Sequence, residues 1–126
     1  MKISQAEFDT LMLLWDCEEA IRPAELLKKM YPIHPWSIST LKTILTRLEE
    51  KGYVTVIQKK RFHYYVPKYT KEEFAAHETG NLIERLNDFS PIPLMAGLIR
   101  SESITKEELD EIEALIQAEK ARFADK

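Results

Sequence analysis

Apolar residues recur at helical spacing along the first half of the chain: Phe8, Leu11, Met12 and Trp15, then Leu26, Leu27 and Met30, and most cleanly Leu41, Ile44, Leu45 and Leu48. Offsets of three and four gather side chains onto one stripe of a helix, so each set predicts a helix with one buried face. The starts are marked as well. Ser4 to Glu7, Thr70 to Glu73 and Thr105 to Glu108 have the spacing at which a hydroxyl and a carboxylate reciprocally satisfy free backbone N–H groups. Pro23 suits the first position of the second helix, which ends near Tyr31-Pro32 because proline disfavours helical geometry in the residue before it. Ser37 follows Pro35 as the cap of the third helix, and Gly52 stops it. The pattern then changes. Tyr53 to Gln58 is rich in β-branched residues and Phe62 to Val66 in aromatics, which predicts a hairpin with Lys59-Lys60-Arg61 at its tip. From Thr70 a long helix is expected to about Asp88, a short one between Pro91 and Arg100, and a last one from Lys106 towards Phe123. No internal repeat or low-complexity segment interrupts this order.

The outer face of the third helix carries the chemistry. Ser37, Ser39, Thr40, Lys42, Thr43, Thr46 and Arg47 lie away from the leucine stripe, with Glu50 beyond them. Short hydroxyl and long cationic side chains can reach base edges and phosphates without holding the backbone away from DNA. A solvated surface helix could have the same face, but here a basic hairpin follows it at once. One helix for the major groove and a cationic tip for nearby phosphates is the pattern of a winged helix-turn-helix. The expected fold is therefore mainly α with a small β-hairpin: a winged helix-turn-helix DNA-binding domain over residues 1–69 and a helical dimerisation domain over 70–126. The loop Pro32 to Trp36 is longer than the turn of the simplest helix-turn-helix.

The chain has 126 residues and a formal net charge of -3, which does not advertise nucleic-acid binding. The distribution of charge does. Residues 1–70 carry 11 Lys and Arg against 8 Asp and Glu, residues 71–126 carry 7 against 13, and the segment 37–70 alone carries 7 against 2. Positive charge is concentrated on the expected helix and hairpin, and the acidic second half should stay off DNA. That half has its own apolar faces, including Leu82, Leu86, Leu94, Leu98, Ile112 and Ile116. Three helices make a thin core, so a two-fold copy of the chain is the expected partner for these faces.

Other classes fit less well. Cys17 is the only cysteine, so an intrachain disulfide is excluded and a reducing compartment is the simpler expectation. His34, His63 and His77 are scattered, so no metal site and no cofactor is expected. The acidic group Asp16, Glu18 and Glu19 reads as a solvated helix end, since neither a nucleophile nor a phosphate loop accompanies it; an enzyme is not expected. No apolar run is long enough to span a bilayer, and Met1 leads directly into a capped helix, so membrane insertion and a signal peptide are not expected and a cytoplasmic protein is. The alternatives left open are a winged-helix protein-interaction module and a regulator gated by a small molecule, which an aromatic-lined pocket would favour.

The residues Trp36-Ser37, Thr40, Thr43, Thr46-Arg47-Leu48, Lys51-Gly52 and Tyr64-Tyr65, with the opening ISQAEFDTLMLLW and the terminal ITKEELDEIEALI, resemble the penicillinase and methicillin-resistance repressors of Gram-positive bacteria. The likeness covers nearly the whole chain. It implies a homodimeric winged-helix repressor that binds a palindromic operator through its N-terminal domain and dimerises through its C-terminal helices. The family's recognition positions fall on Thr40, Lys42, Thr43 and Arg47. Its best-known members regulate antibiotic resistance and are cut in the dimerisation domain when a membrane-bound sensor protease detects a β-lactam. Two departures bear on regulation. At the place of the Asn-Phe bond cut in those members this chain has Gly97-Leu98, so release by another route is expected. The copper-responsive branch ends in a cysteine-rich motif, whereas this chain ends KARFADK, so metal sensing by that route is not expected.

Overall fold

A computed structural model describes residues 3–125. Met1 and Lys2, expected to run straight into the first capped helix, and Lys126 lie outside the described residues. The order is α1 (Gln5–Asp16), α2 (Pro23–Met30), α3 (Ile38–Glu50), β1 (Val54–Lys59), β2 (Phe62–Pro67), α4 (Lys71–Arg85), α5 (Ile92–Ile99) and α6 (Lys106–Ala124). This is a mainly helical winged-helix fold. Its contacts divide into one unit ending at Gly80 and another beginning at Asn81. The first unit thus runs past the 69/70 boundary expected from sequence, because Phe74 in α4 is buried with its core.

That core is built where α1, α2 and α3 meet the hairpin. Leu11, Leu14, Leu26, Met30, Leu41, Leu45 and Leu48 are fully buried, and Tyr53, Val54 and Tyr65 close the side beneath the strands. The stripe of α1 is rotated from the one expected. Glu7, Thr10, Leu11 and Leu14 are its buried positions, whereas Phe8, Met12 and Trp15 are half-buried. The reason is that α1 is covered on more than one side: Phe8 and Trp15 reach Phe74, with ring centroids 6.0 and 5.2 Å away, and the Trp15 indole N–H donates to the Tyr69 carbonyl at 2.9 Å. Tyr53 joins the same aromatic group, 5.7 Å from Phe74.

The hairpin pairs antiparallel, from Val54 opposite Pro67 to Lys59 opposite Phe62. Lys59 is therefore a strand residue, and Lys60 and Arg61 form the two-residue turn. A second, short pairing, Ile21 with Tyr65, fastens β2 to the segment before α2 through reciprocal N–H to carbonyl bonds of 3.0 and 2.8 Å. All three reciprocal caps form, at Ser4/Glu7, Thr70/Glu73 and Thr105/Glu108.

In the second unit, α4 stops at Arg85, short of the expected Asp88. No described residue after Phe74 is buried. Leu82, Leu94, Leu98 and Ile116 are exposed, and Leu86 and Ile112 half-buried. Ile83, Phe89 and Ile92, not singled out from sequence, are at least 63% exposed.

Candidate nucleic-acid interface

Helix α3 is fixed at both ends. The Ser37 hydroxyl accepts the Thr40 N–H at 3.1 Å, satisfying one of the donors that a helix start leaves free. At the other end Gly52 has φ +84, a left-handed conformation that a β-carbon disfavours. Its N–H donates to the Glu49 carbonyl at 3.0 Å and that of Tyr53 to the Leu48 carbonyl at 2.9 Å, with Leu48 and Tyr53 both buried. These are the paired bonds and apolar contact of a Schellman motif. The cap residue Lys51 ties the helix to α1, its ammonium lying 2.7 Å from Glu7 Oε1. That oxygen also accepts the Ser4 N–H at 2.7 Å, while Oε2 is buried without a hydrogen-bond partner. Burial pushes the Glu7 carboxyl up, but the bonds from Lys51 and from the Ser4 backbone and side chain together hold it below the ordinary range.

The loop into α3 is anchored as well. His34 Nε2 lies 2.8 Å from Asp9 Oδ2 on α1, and its ring stacks on Trp36 at 4.7 Å with planes 3° apart. Hydrogen bonds from His34 and then Gln5, against a smaller opposing effect of burial, keep the Asp9 carboxyl below its usual range. With its four buried positions at Leu41, Ile44, Leu45 and Leu48, α3 exposes Ser39, Thr40, Lys42, Thr43, Thr46 and Arg47, all on the face expected from sequence. The Thr43 hydroxyl donates to the Ser39 carbonyl at 3.0 Å and that of Thr46 to the Lys42 carbonyl at 2.9 Å. With their single protons committed, both hydroxyls offer acceptor lone pairs, and both side chains offer a methyl group. Ser39, Lys42, Thr43, Thr46, Arg47 and Glu50 line one shallow groove along the helix.

Lys42 and Thr46 also line a second groove, of about 440 Å³, whose opposite wall is the wing at Arg61, Phe62 and His63. Arg22, immediately before α2, closes one part of it. Its guanidinium lies 4.1 Å from the Phe62 ring centroid. The sequence reading did not select Arg22, Phe62 or His63. No periodicity links them, and they meet only because the Ile21–Tyr65 pairing draws the start of α2 against β2. A third cavity, of about 420 Å³, lies behind the recognition face and is lined by Tyr53, Tyr69, Phe74, Lys51, Lys68, Glu73 and His77, with Gly52.

Gly97 and Leu98, the candidate cleavage site, lie within α5, with Leu98 55% exposed. The acidic residues Asp16, Glu18 and Glu19 are exposed at the end of α1. Cys17 caps that helix, half-buried, its thiol 3.3 Å from the Leu13 carbonyl. No helix among the described residues is long and apolar enough to cross a membrane.

The comparisons with known proteins agree with this geometry. The solution structure of the DNA binding domain of the repressor BlaI matches with a TM-score of 0.51 and 28% identity, covering 57% of this chain and 87% of that one. The penicillinase repressor of Bacillus licheniformis is 22% identical over 96% of this chain and 94% of its own length. The methicillin resistance regulatory protein MecI of Mammaliicoccus sciuri is 18% identical over 91% and 93% respectively. The model of the penicillinase repressor family matches residues 3–118, nearly the whole chain, and the protein therefore belongs to that family of DNA-binding transcriptional repressors.

Proposed function

We propose that this repressor acts as a two-fold dimer on a palindromic operator, with α3 in the major groove of each half-site and the wing on the flanking backbone. The observation that carries the reading is the division of α3 into two faces. One is entirely buried, and the other presents hydroxyls and cations that run on into the cationic hairpin. Thr40, Lys42, Thr43 and Arg47 are the proposed base readers, with Ser37, Ser39 and Thr46 beside them. Lys59, Lys60 and Arg61 are the proposed phosphate contacts. Dimerisation through residues 70–126 is supported by the second unit, where the apolar side chains of α5 and α6 have no buried core of their own. A two-fold pair would cover them and set the spacing of the half-sites.

The test is to capture genomic fragments with the purified full-length protein and footprint the enriched sites. Two inverted half-sites about one or more helical turns apart, each protected in the major groove, are expected. Protection of a single, non-repeated half-site by one protomer would overturn the dimeric reading.

A second reading, control by a small molecule, is favoured by the cavity lined by Tyr53, Tyr69 and Phe74. It abuts the Gly52 turn at the end of α3, and its volume lies in the range of small-molecule sites. A ligand there could shift operator affinity without any cut in the chain. Retention of the full-length chain on release, together with an operator affinity lowered by a cell extract depleted of protein, would support this route over proteolysis.

A further inference from the structure

We propose that Arg22, outside both the recognition helix and the wing tip, is a phosphate-binding residue held in position by the wing residue Phe62. The proposal rests on the DNA-binding reading above and extends it to the groove between α3 and β2.

The groove lies where a DNA strand must pass. With α3 in the major groove and the wing on the neighbouring backbone, the sugar-phosphate strand that bounds the major groove runs between the two elements. The walls there are cationic: Lys42 on α3 and Arg61 on the wing, with His63 beside it and Arg22 closing the groove. The arrangement at Phe62 sharpens the point. The Arg22 guanidinium sits 4.1 Å, and that of Arg61 5.5 Å, from the centroid of the same ring. Each cation is attracted to the ring face, but the two repel one another. Among the described residues neither makes a salt bridge to a carboxylate. Two uncompensated guanidiniums that share one aromatic ring and line one groove favour an anion in that groove, and a phosphodiester accepts their planar N–H forks. Arg22 is also anchored at the backbone, since its carbonyl accepts the N–H groups of Glu25 and Leu26 at 3.1 and 3.0 Å. Its side chain therefore starts from a fixed point, and stacking on Phe62 limits its freedom further.

The test uses the full-length protein and a duplex carrying a site selected from genomic fragments. Affinity is measured across a salt series for wild type, Arg22→Gln, Arg22→Lys and Phe62→Leu, with circular dichroism to confirm folding. Arg22→Gln is expected to weaken selected and random DNA by the same factor and to lower the salt slope by about one for each protomer bound. Arg22→Lys should restore the slope, and Phe62→Leu should lose affinity at an unchanged slope. Neutral methylphosphonates placed one at a time along the flanking strand locate the contact: one position should weaken wild type and leave Arg22→Gln unaffected. An unchanged salt slope in folded Arg22→Gln, or the same methylphosphonate profile for both proteins, overturns the proposal while leaving the DNA-binding reading intact. Absence of salt-dependent binding by wild type to any duplex removes that reading and this one together.

Discussion

Lys60 sits at the first position of the wing turn with φ +58, a left-handed backbone that glycine or asparagine adopts at much lower cost. Strain of about 1 kcal/mol at a turn is kept where the side chain has another use, and the phosphate contact proposed for the tip would be such a use. Lys60→Gly should therefore leave the melting temperature unchanged or slightly higher, while weakening selected and random DNA alike and lowering the salt slope by about one for each protomer bound. Substitutions at Thr43 or Arg47 should behave differently, each costing roughly 1 to 3 kcal/mol on the selected site and relaxing sequence choice. Competition binding against shuffled duplexes separates the two effects; identical losses of preference in both sets would remove the division of labour. Glu7 makes a third case. Its carboxyl is held below the ordinary range in the folded state, so its contribution to stability is complete above the ordinary glutamate pKa of about 4.3. That contribution is lost as the pH falls through the lowered folded value. Glu7→Gln should cost about 2 kcal/mol at neutral pH through the weakened bond to Lys51, and the gap to wild type should narrow on acidification in urea titrations at pH 7 and below 4.

At the scale of elements, α3 was the most legible part of the chain and α1 the least. Leu41, Ile44, Leu45 and Leu48 define one face against one core, so periodicity alone identifies both the buried side and the candidate interface. In α1, Leu14 and Thr10 are buried on one side while Phe8 and Trp15 meet Phe74 on another, and a helix covered twice has no single stripe to read. The Ile21–Tyr65 pairing is too short to alternate, so the element that brings Arg22 to the wing left no pattern. The hairpin and all three reciprocal caps were readable because each depends on local chemistry. The Gly52 turn carries a prediction of its own. A β-carbon there meets nothing within 4 Å, so Gly52→Ala isolates the cost of the left-handed backbone, about 1 to 2 kcal/mol. A melting temperature lower by several degrees is expected, read by calorimetry; an unchanged value would mean that the end of α3 relaxes freely.

For the molecule as a whole, the two units differ in what they can do alone. The first has a closed core that includes Phe74, so truncation after Gly80 should leave a folded domain, whereas truncation after Tyr69 removes an aromatic that touches Phe8, Trp15 and Tyr53. The full-length chain is expected to sediment as a dimer and the chain ending at Gly80 as a monomer with far weaker operator binding. Full-length monomer at micromolar concentration would count against the proposed dimer. Proteolytic release at Gly97-Leu98 would need local opening of α5, because the peptide lies inside a helix whose last turn is closed by the Arg100 N–H to the Ala96 carbonyl at 3.0 Å. A pocket built for Phe after an amide side chain also gains less from Leu after Gly. Blotting cells treated with a β-lactam for a fragment ending at Gly97 checks this, and no such fragment is expected.

The chain's two tryptophans rest against different aromatic partners in the first unit. Trp36 precedes the cap of α3 and is stacked on His34, so its emission follows the loop into that helix. Trp15 packs edge-on to Phe74 and is hydrogen-bonded to the Tyr69 carbonyl, so its emission follows whether the start of α4 stays docked. The protein thus carries two native optical probes, one beside α3 and one at the start of α4. With Trp15→Phe or Trp36→Phe to silence either, operator engagement and movement of α4 can be timed separately in a single stopped-flow experiment without any added dye.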